Sequence, residues 1–145
     1  MLISRCANVL IETELNNFMI ETGKNGTEKS NLIVDLAFKF SLDIVIYTEQ
    51  LEKLKKYNLS NQLFRSGTSV GANINESQHA ESKADFIHKL KISAKEAEET
   101  KYWLLLCQHS ENYPNCNNLL TQIESIIKVL SKIISSSKNQ KLTHQ

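Results

Sequence analysis

RSGTSVGANINES, residues 65–77, holds two glycines and four serines or threonines but only two large apolar side chains, Val70 and Ile74. Such a run is either a loop that cradles a phosphate or a helix kept thin so that another helix can come close. A P-loop needs a lysine and then Ser or Thr directly after its last glycine, entered from a strand, because the lysine and stacked backbone N–H groups hold the anion. Here Ala72 and Asn73 follow Gly71, and no strand-like run precedes Gly67. The helical reading fits instead. Leu63, Gly67, Val70 and Ile74 recur at steps of four and three, the spacing that keeps one stripe on a helix. In an antiparallel hairpin closed near residues 80 and 81, Gly67 faces the neighbourhood of Ala94, and small against small lets the axes approach the short end of the ~8–10 Å range.

The same rhythm runs outward in both directions. Ala37, Phe40, Ile44, Tyr47, Leu51 and Leu54 predict a first helix from about Leu32 to Lys55. KKYNLS then interrupts the pattern, and Asn58 or Ser60 is available to cap the second helix. Ser82 followed by Asp85 resembles a capping box and starts a third helix, which reaches about His109 with Ile87, Leu90, Ala94, Ala97 and Leu104 inward. SENYPN is a polar connector with Pro114 near a helix start, and Leu119, Ile123, Ile126, Leu130 and Ile133 form the seam of a fourth helix. Four amphipathic helices with short connectors predict an all-α, antiparallel, up-down-up-down four-helix bundle over residues 31–137. Residues 1–30 read as an N-terminal extension, partly helical in ANVLIETELNNFMI and linker-like in ETGKNGTEKSN, and residues 138–145 as a disordered tail.

One proline and four glycines in 145 residues leave too few turns for a β protein. The charge is nearly balanced, at 17 Lys or Arg against 16 Asp or Glu, and residues 31–137 contain twelve of each. Nothing in these totals is an interaction tail. Three cysteines, Cys6, Cys107 and Cys116, do not make a disulfide framework, and a reducing, cytoplasmic setting is the expectation. No run suits a membrane span or a secretory signal.

Chemistry-bearing constellations are sparse. Cys107, His109 and Cys116 supply soft ligands within ten residues, but a structural zinc site wants four at tighter paired spacings. His79 and His88 do not share a helical face, and the two Glu-x-x-His pairs of a di-iron bundle are incomplete, Glu76 to His79 being the one such spacing in the sequence. No metal and no cofactor is expected. Arg65, Asn73, Glu76 and Glu99 are read as ion-pairing or register-fixing groups, with Asn73 placed to face His88 across the hairpin. A hydrolase would require Glu76, Glu99 or His88 in a pocket, and the expectation is that the protein is not an enzyme.

Two surface features point to binding. On the first helix Val34, Phe38, Leu42 and Val45 make a second apolar stripe about 135° round from the first. On the third, Ile92, Trp103 and Leu106 fall off the inner face. One core cannot bury both sets, so they are candidates for a homo-oligomer interface, the alternative being cover by the N-terminal segment. The third helix also carries Lys83, His88, Lys91 and Lys95, with Lys89 and Lys101 nearby, a candidate phosphate-binding stripe.

Residues 62–104, QLFRSGTSVGANINESQHAESKADFIHKLKISAKEAEETKYWL, resemble the 23S ribosomal RNA intervening-sequence proteins, a four-helix-bundle family related to the accessory variability determinants of diversity-generating retroelements. ANINE, ESKADFIHKL and KEAEETKYWL look like its signature stretches, and Arg65, Gly67, Gly71, Asn73, Glu76 and Glu99 fall within the resembling region. The likeness extends more weakly over residues 32–136 and leaves residues 1–30 uncovered. It implies an up-down bundle, a ring-like homo-pentamer, and no characterised catalytic activity. It also points towards RNA or DNA, and towards a nucleic-acid-processing protein such as a reverse transcriptase, as partners. The expected function is therefore a non-catalytic oligomeric module that accompanies nucleic acid; the alternative is a protein-binding scaffold with no nucleic-acid affinity.

Overall fold

The computed structural model describes residues 31–139. They form four helices, α1 (Leu32–Lys53), α2 (Tyr57–Ser77), α3 (Lys83–His109) and α4 (Asn117–Asn139). Cross-helix contacts set the topology. Ser41 meets Gly71 and Ile44 meets Gly67, while the Ser60 hydroxyl donates to the Thr48 carbonyl at 3.0 Å, so α1 and α2 run antiparallel. The Ser93 hydroxyl donates to the Val70 carbonyl at 2.9 Å, and Lys89 reaches Glu76, which reverses α3 on α2. Lys101 with Glu124 and Gln108 with Asn117 reverse α4 on α3. Gln122 donating to Asp43 and Tyr47 donating to the Pro114 carbonyl bring α4 back antiparallel to α1. The result is an all-α up-down-up-down four-helix bundle, with α3 packed most extensively against its two neighbours.

The core follows the predicted stripes on α1, α2 and α4. Phe40, Ile44, Leu51, Leu63, Val70, Ile74, Ile123, Ile126 and Leu130 are all buried. Two ends differ. Leu54 is 50% exposed, because α1 stops at Lys53 and Lys55 turns left-handed with φ 59°. The Lys56 amide then donates to Leu51 O and the Lys55 amide to Glu52 O, a Schellman-type close in which a lysine takes the place usually held by glycine. At the start of α2 neither expected cap operates: the helix begins at Tyr57 with no side-chain cap, and the Ser60 hydroxyl is used instead on Thr48. The predicted cap of α3 is present, with Ser82 accepting from the Asp85 amide and Asp85 accepting from the Glu81 amide.

The inner face of α3 is rotated from its expected position. Leu90, Ser93, Ala97, Thr100, Leu104 and Cys107 are buried, whereas Ile87 and Ala94 are only half-buried. A hydrophobicity count passes over Ser93 and Thr100, yet both are buried at little cost because each hydroxyl is paired, Ser93 to Val70 O and Thr100 to Glu96 O. Among the described residues no buried side-chain nitrogen or oxygen lacks a partner. At the other end of the chain, Lys138 and Asn139 belong to α4 rather than to a tail. The expectations for residues 1–30 and for the remainder of the C-terminus lie outside the described residues.

The connector between α3 and α4 is pinned by a buried cluster. The Tyr47 hydroxyl donates to Pro114 O at 2.9 Å beside both Cys107 and Cys116, and the Cys116 thiol donates to Leu104 O at 3.4 Å. Burial pushes the Cys107 thiol up to about 11 and raises Cys116 and the Tyr47 phenol as well.

Candidate functional site

Gly67 and Gly71 face α1, not α3. A Cβ built on Gly67 lies 3.0 Å from Ile44 Cγ1 and Cγ2, and one on Gly71 lies 2.7 Å from Ser41 Oγ. Ala94 is not the partner of Gly67; the close approach to α3 is made at Val70 and Ser93. The glycines thus have a packing role, on the α1 side of α2.

The polar motif positions line the α2–α3 flank and pair there. Arg65 and Glu99 form an ion pair at 3.4 Å. The same Glu99 oxygen accepts the Trp103 indole N–H at 3.2 Å. Lys89 and Glu76 pair at 2.7 Å, and the hydrogen bond to the Glu76 carboxylate raises the Lys89 pKa. Asn73 is not bonded to His88. Its amide donates to Ser69 O at 2.8 Å within α2, and His88 is exposed. Glu76, Glu99 and His88 do not meet in a pocket. A shallow cavity of about 190 Å³ opens elsewhere, between α1 and the start of α4, with Asp43, Gln50, Asn115 and Asn118 on its wall. Nor do the soft ligands converge: Cys107 and Cys116 are buried, while His109 is exposed and donates to Leu105 O one turn back. Among the described residues, no three His, Cys, Asp or Glu side chains are grouped to hold a metal ion.

The outward side of α3 carries a histidine and two lysines. His88, Lys91 and Lys95 are exposed and fall within an arc of roughly 60°. None of the three is engaged in an ion pair, whereas Lys89 and Lys101 are paired with Glu76 and Glu124. Lys83, also exposed, begins α3 and lies roughly 80–140° round the helix from the other three, so it does not extend their stripe. Continuing along that stripe, Tyr102 is 56% exposed and Leu106 is 37% exposed. The sequence reading passed over Tyr102, although its spacing of seven from Lys95 was available as a signal.

The apolar stripe on α1 is open at Phe38, 66% exposed, and Leu42, 51% exposed. Val34 and Val45 are half-buried at its edge. Ile46, which the reading missed, completes the stripe at 56% exposure. On α3, Ile92 and Trp103 are half-buried on the flank towards α2, which leaves Leu106 as the exposed member of that predicted set.

Together these features define a four-helix bundle with an apolar outer face on α1, a cationic outer face on α3, and polar motif residues used internally as ties. Residues 29–132 match the family described as 23S rRNA-intervening sequence protein, and the chain belongs to that family. It is also similar to the crystal structure of a protein of unknown function from the S23 ribosomal protein family of Bacteroides thetaiotaomicron. The two are 40% identical with a TM-score of 0.66, over 70% of this chain and 97% of that one. No curated protein matches the chain. Among the described residues, no helix is long and apolar enough to cross a membrane.

Proposed function

We propose that this protein is a non-catalytic, self-associating helical-bundle module that binds RNA or DNA, on its own or beside a nucleic-acid-processing protein. The observation that carries the reading is the free state of His88, Lys91 and Lys95 on one exposed side of α3, while the neighbouring lysines are occupied by carboxylates. Lys91 and Lys95 can neutralise backbone phosphates, and His88 beside them can donate a hydrogen bond to one. The description of the matched family, which refers to 23S rRNA, supports the same direction. The equal numbers of acidic and basic residues over 31–137 mean that the attraction is local, and a ring of copies would gather several such stripes on one surface.

Charge reversal tests this reading. With Lys91→Glu and Lys95→Glu together, retention of RNA or DNA at low salt is expected to fall roughly tenfold or more, and the salt dependence to flatten by about two counterions' worth of slope. Unchanged retention would leave the protein-binding scaffold as the better reading. Self-association is tested separately through α1. Phe38→Asp with Leu42→Asp should give a monomer by light scattering with unaltered helix content, since both side chains are already more than half exposed. An unchanged mass would remove α1 as the interface.

A further inference from the structure

We infer that the nucleic acid taken by α3 is single-stranded, with Tyr102 as a stacking platform for a base at the end of the lysine stripe; this rests on the nucleic-acid reading above. Tyr102 shares the arc of His88, Lys91 and Lys95, within roughly 60°. Along the axis Lys95 lies ~6 Å beyond Lys91, and Tyr102 lies a further ~10 Å on, spans that a few nucleotides of extended strand cover. The ring is 56% exposed, and it is also steadied. Its centroid is 5.1 Å from that of Trp103 in an edge-on contact. Trp103 is held by its N–H bond to Glu99, which Arg65 grips from α2. An aromatic face kept in place beside free cations suits an unpaired base, because a single strand offers a π-face that a duplex keeps inside its stack.

The charge pattern along the stripe agrees. Glu98 is exposed and stands between Lys95 and Tyr102, three residues after the one and four before the other, so phosphates are most favoured at Lys91, which has no carboxylate one turn away on this face, and least favoured near the ring. The strand is therefore oriented with its backbone over Lys91 and Lys95 and a base over Tyr102. Stacking supplies what the sparse charge does not, and it tolerates any sequence, since every base has a face to offer.

Binding of a short oligo(U) strand and of a blunt duplex of equal length, followed by anisotropy on the full chain, tests the inference. The wild type should prefer the single strand. Tyr102→Ala should weaken oligo(U) binding by roughly tenfold, with Tyr102→Phe close to wild type and the duplex unaffected. Oligo(U), but not inorganic phosphate, should quench the emission of Trp103, the only tryptophan in the chain. Glu98→Gln should tighten the single strand. If Tyr102→Ala binds oligo(U) like the wild type while the Lys91 and Lys95 reversals abolish binding, the site grips phosphates alone; the stacking inference is then wrong and the nucleic-acid function stands. If neither polymer binds at low salt, both readings fall together.

Discussion

Gly67→Leu will destabilise the bundle. Gly67 is buried in α2, and even a methyl carbon there would sit 3.0 Å from two carbons of Ile44, which is itself 0% exposed and has nowhere to retreat. Leucine adds three further carbons to that contact. Overpacking of this kind costs about 1–3 kcal/mol and sometimes more. The gain from replacing a mid-helix glycine, roughly 0.5–1 kcal/mol, offsets only part of it. The net loss is up to about 2 kcal/mol, a readily measured fraction of the roughly 5–15 kcal/mol of a typical domain. Gly71→Ala should be far milder. The atom it would crowd is Ser41 Oγ at 2.7 Å, and that hydroxyl can rotate away from its bond to Ala37 O. Urea melts of the two variants give the comparison. A midpoint for Gly67→Leu equal to the wild type would show that α1 and α2 do not pack as closely there as the contact with Ile44 requires.

Alkali will destabilise the protein through the cluster that joins α1 to the α3–α4 connector. In the unfolded chain a thiol ionises near its ordinary value of 9.0, while folded Cys107 keeps its proton to about 11 because burial penalises the thiolate. Cys116 and Tyr47 are shifted in the same direction, for the same first cause. Above pH ~9 the unfolded state therefore binds fewer protons than the folded one, and stability falls as pH rises. It is fully present below the unfolded value and lost through the folded value. A displacement of two pH units on one thiol corresponds to roughly 2–3 kcal/mol. The check is the slope of unfolding free energy against pH between 8 and 11, for the wild type and for Cys107→Ala with Cys116→Ala. The double variant should lose much of the slope, though it keeps Tyr47 and the exposed Lys89–Glu76 pair, which weakens in the same direction as its lysine deprotonates. Equal slopes would mean that the thiols are reached by water. The same burial predicts slow reaction of Cys107 and Cys116 with thiol reagents near neutral pH, and prompt reaction in denaturant.

Most of the helical architecture was legible before any coordinates. Stripes such as Phe40, Ile44, Tyr47 and Leu51, or Leu119, Ile123, Ile126 and Leu130, mark a buried face because burial is periodic on a helix. The Ser82 and Asp85 cap was equally plain, being a local hydrogen bond between near neighbours. Errors arose where a distant partner altered a local preference. Ser60 looked like a cap and became a tie to Thr48. Ser93 was absent from the predicted inner face of α3 and became its tie to α2. Of the candidate sites, the shared exposed arc of His88, Lys91 and Lys95 on α3 was legible from spacing, while Lys83 falls outside it. Tyr102 and Ile46 were not, since an aromatic or branched residue on a helix is expected to be core until its exposure is known.

The sequence by itself determined that four helices form, where they begin and end within a few residues, and which positions on each share a stripe. These depend on turns, caps and the 3.6-residue repeat, all of which are local along the chain. Only the tertiary structure decided which neighbour each stripe meets. In a closed set of four antiparallel helices every helix has two neighbours, and spacing along one helix does not say on which side either stands. That is why Gly67 was expected against Ala94 and lies against Ile44, and why the lysines of α3 divide into those held by carboxylates of α2 and α4 and those left facing solvent.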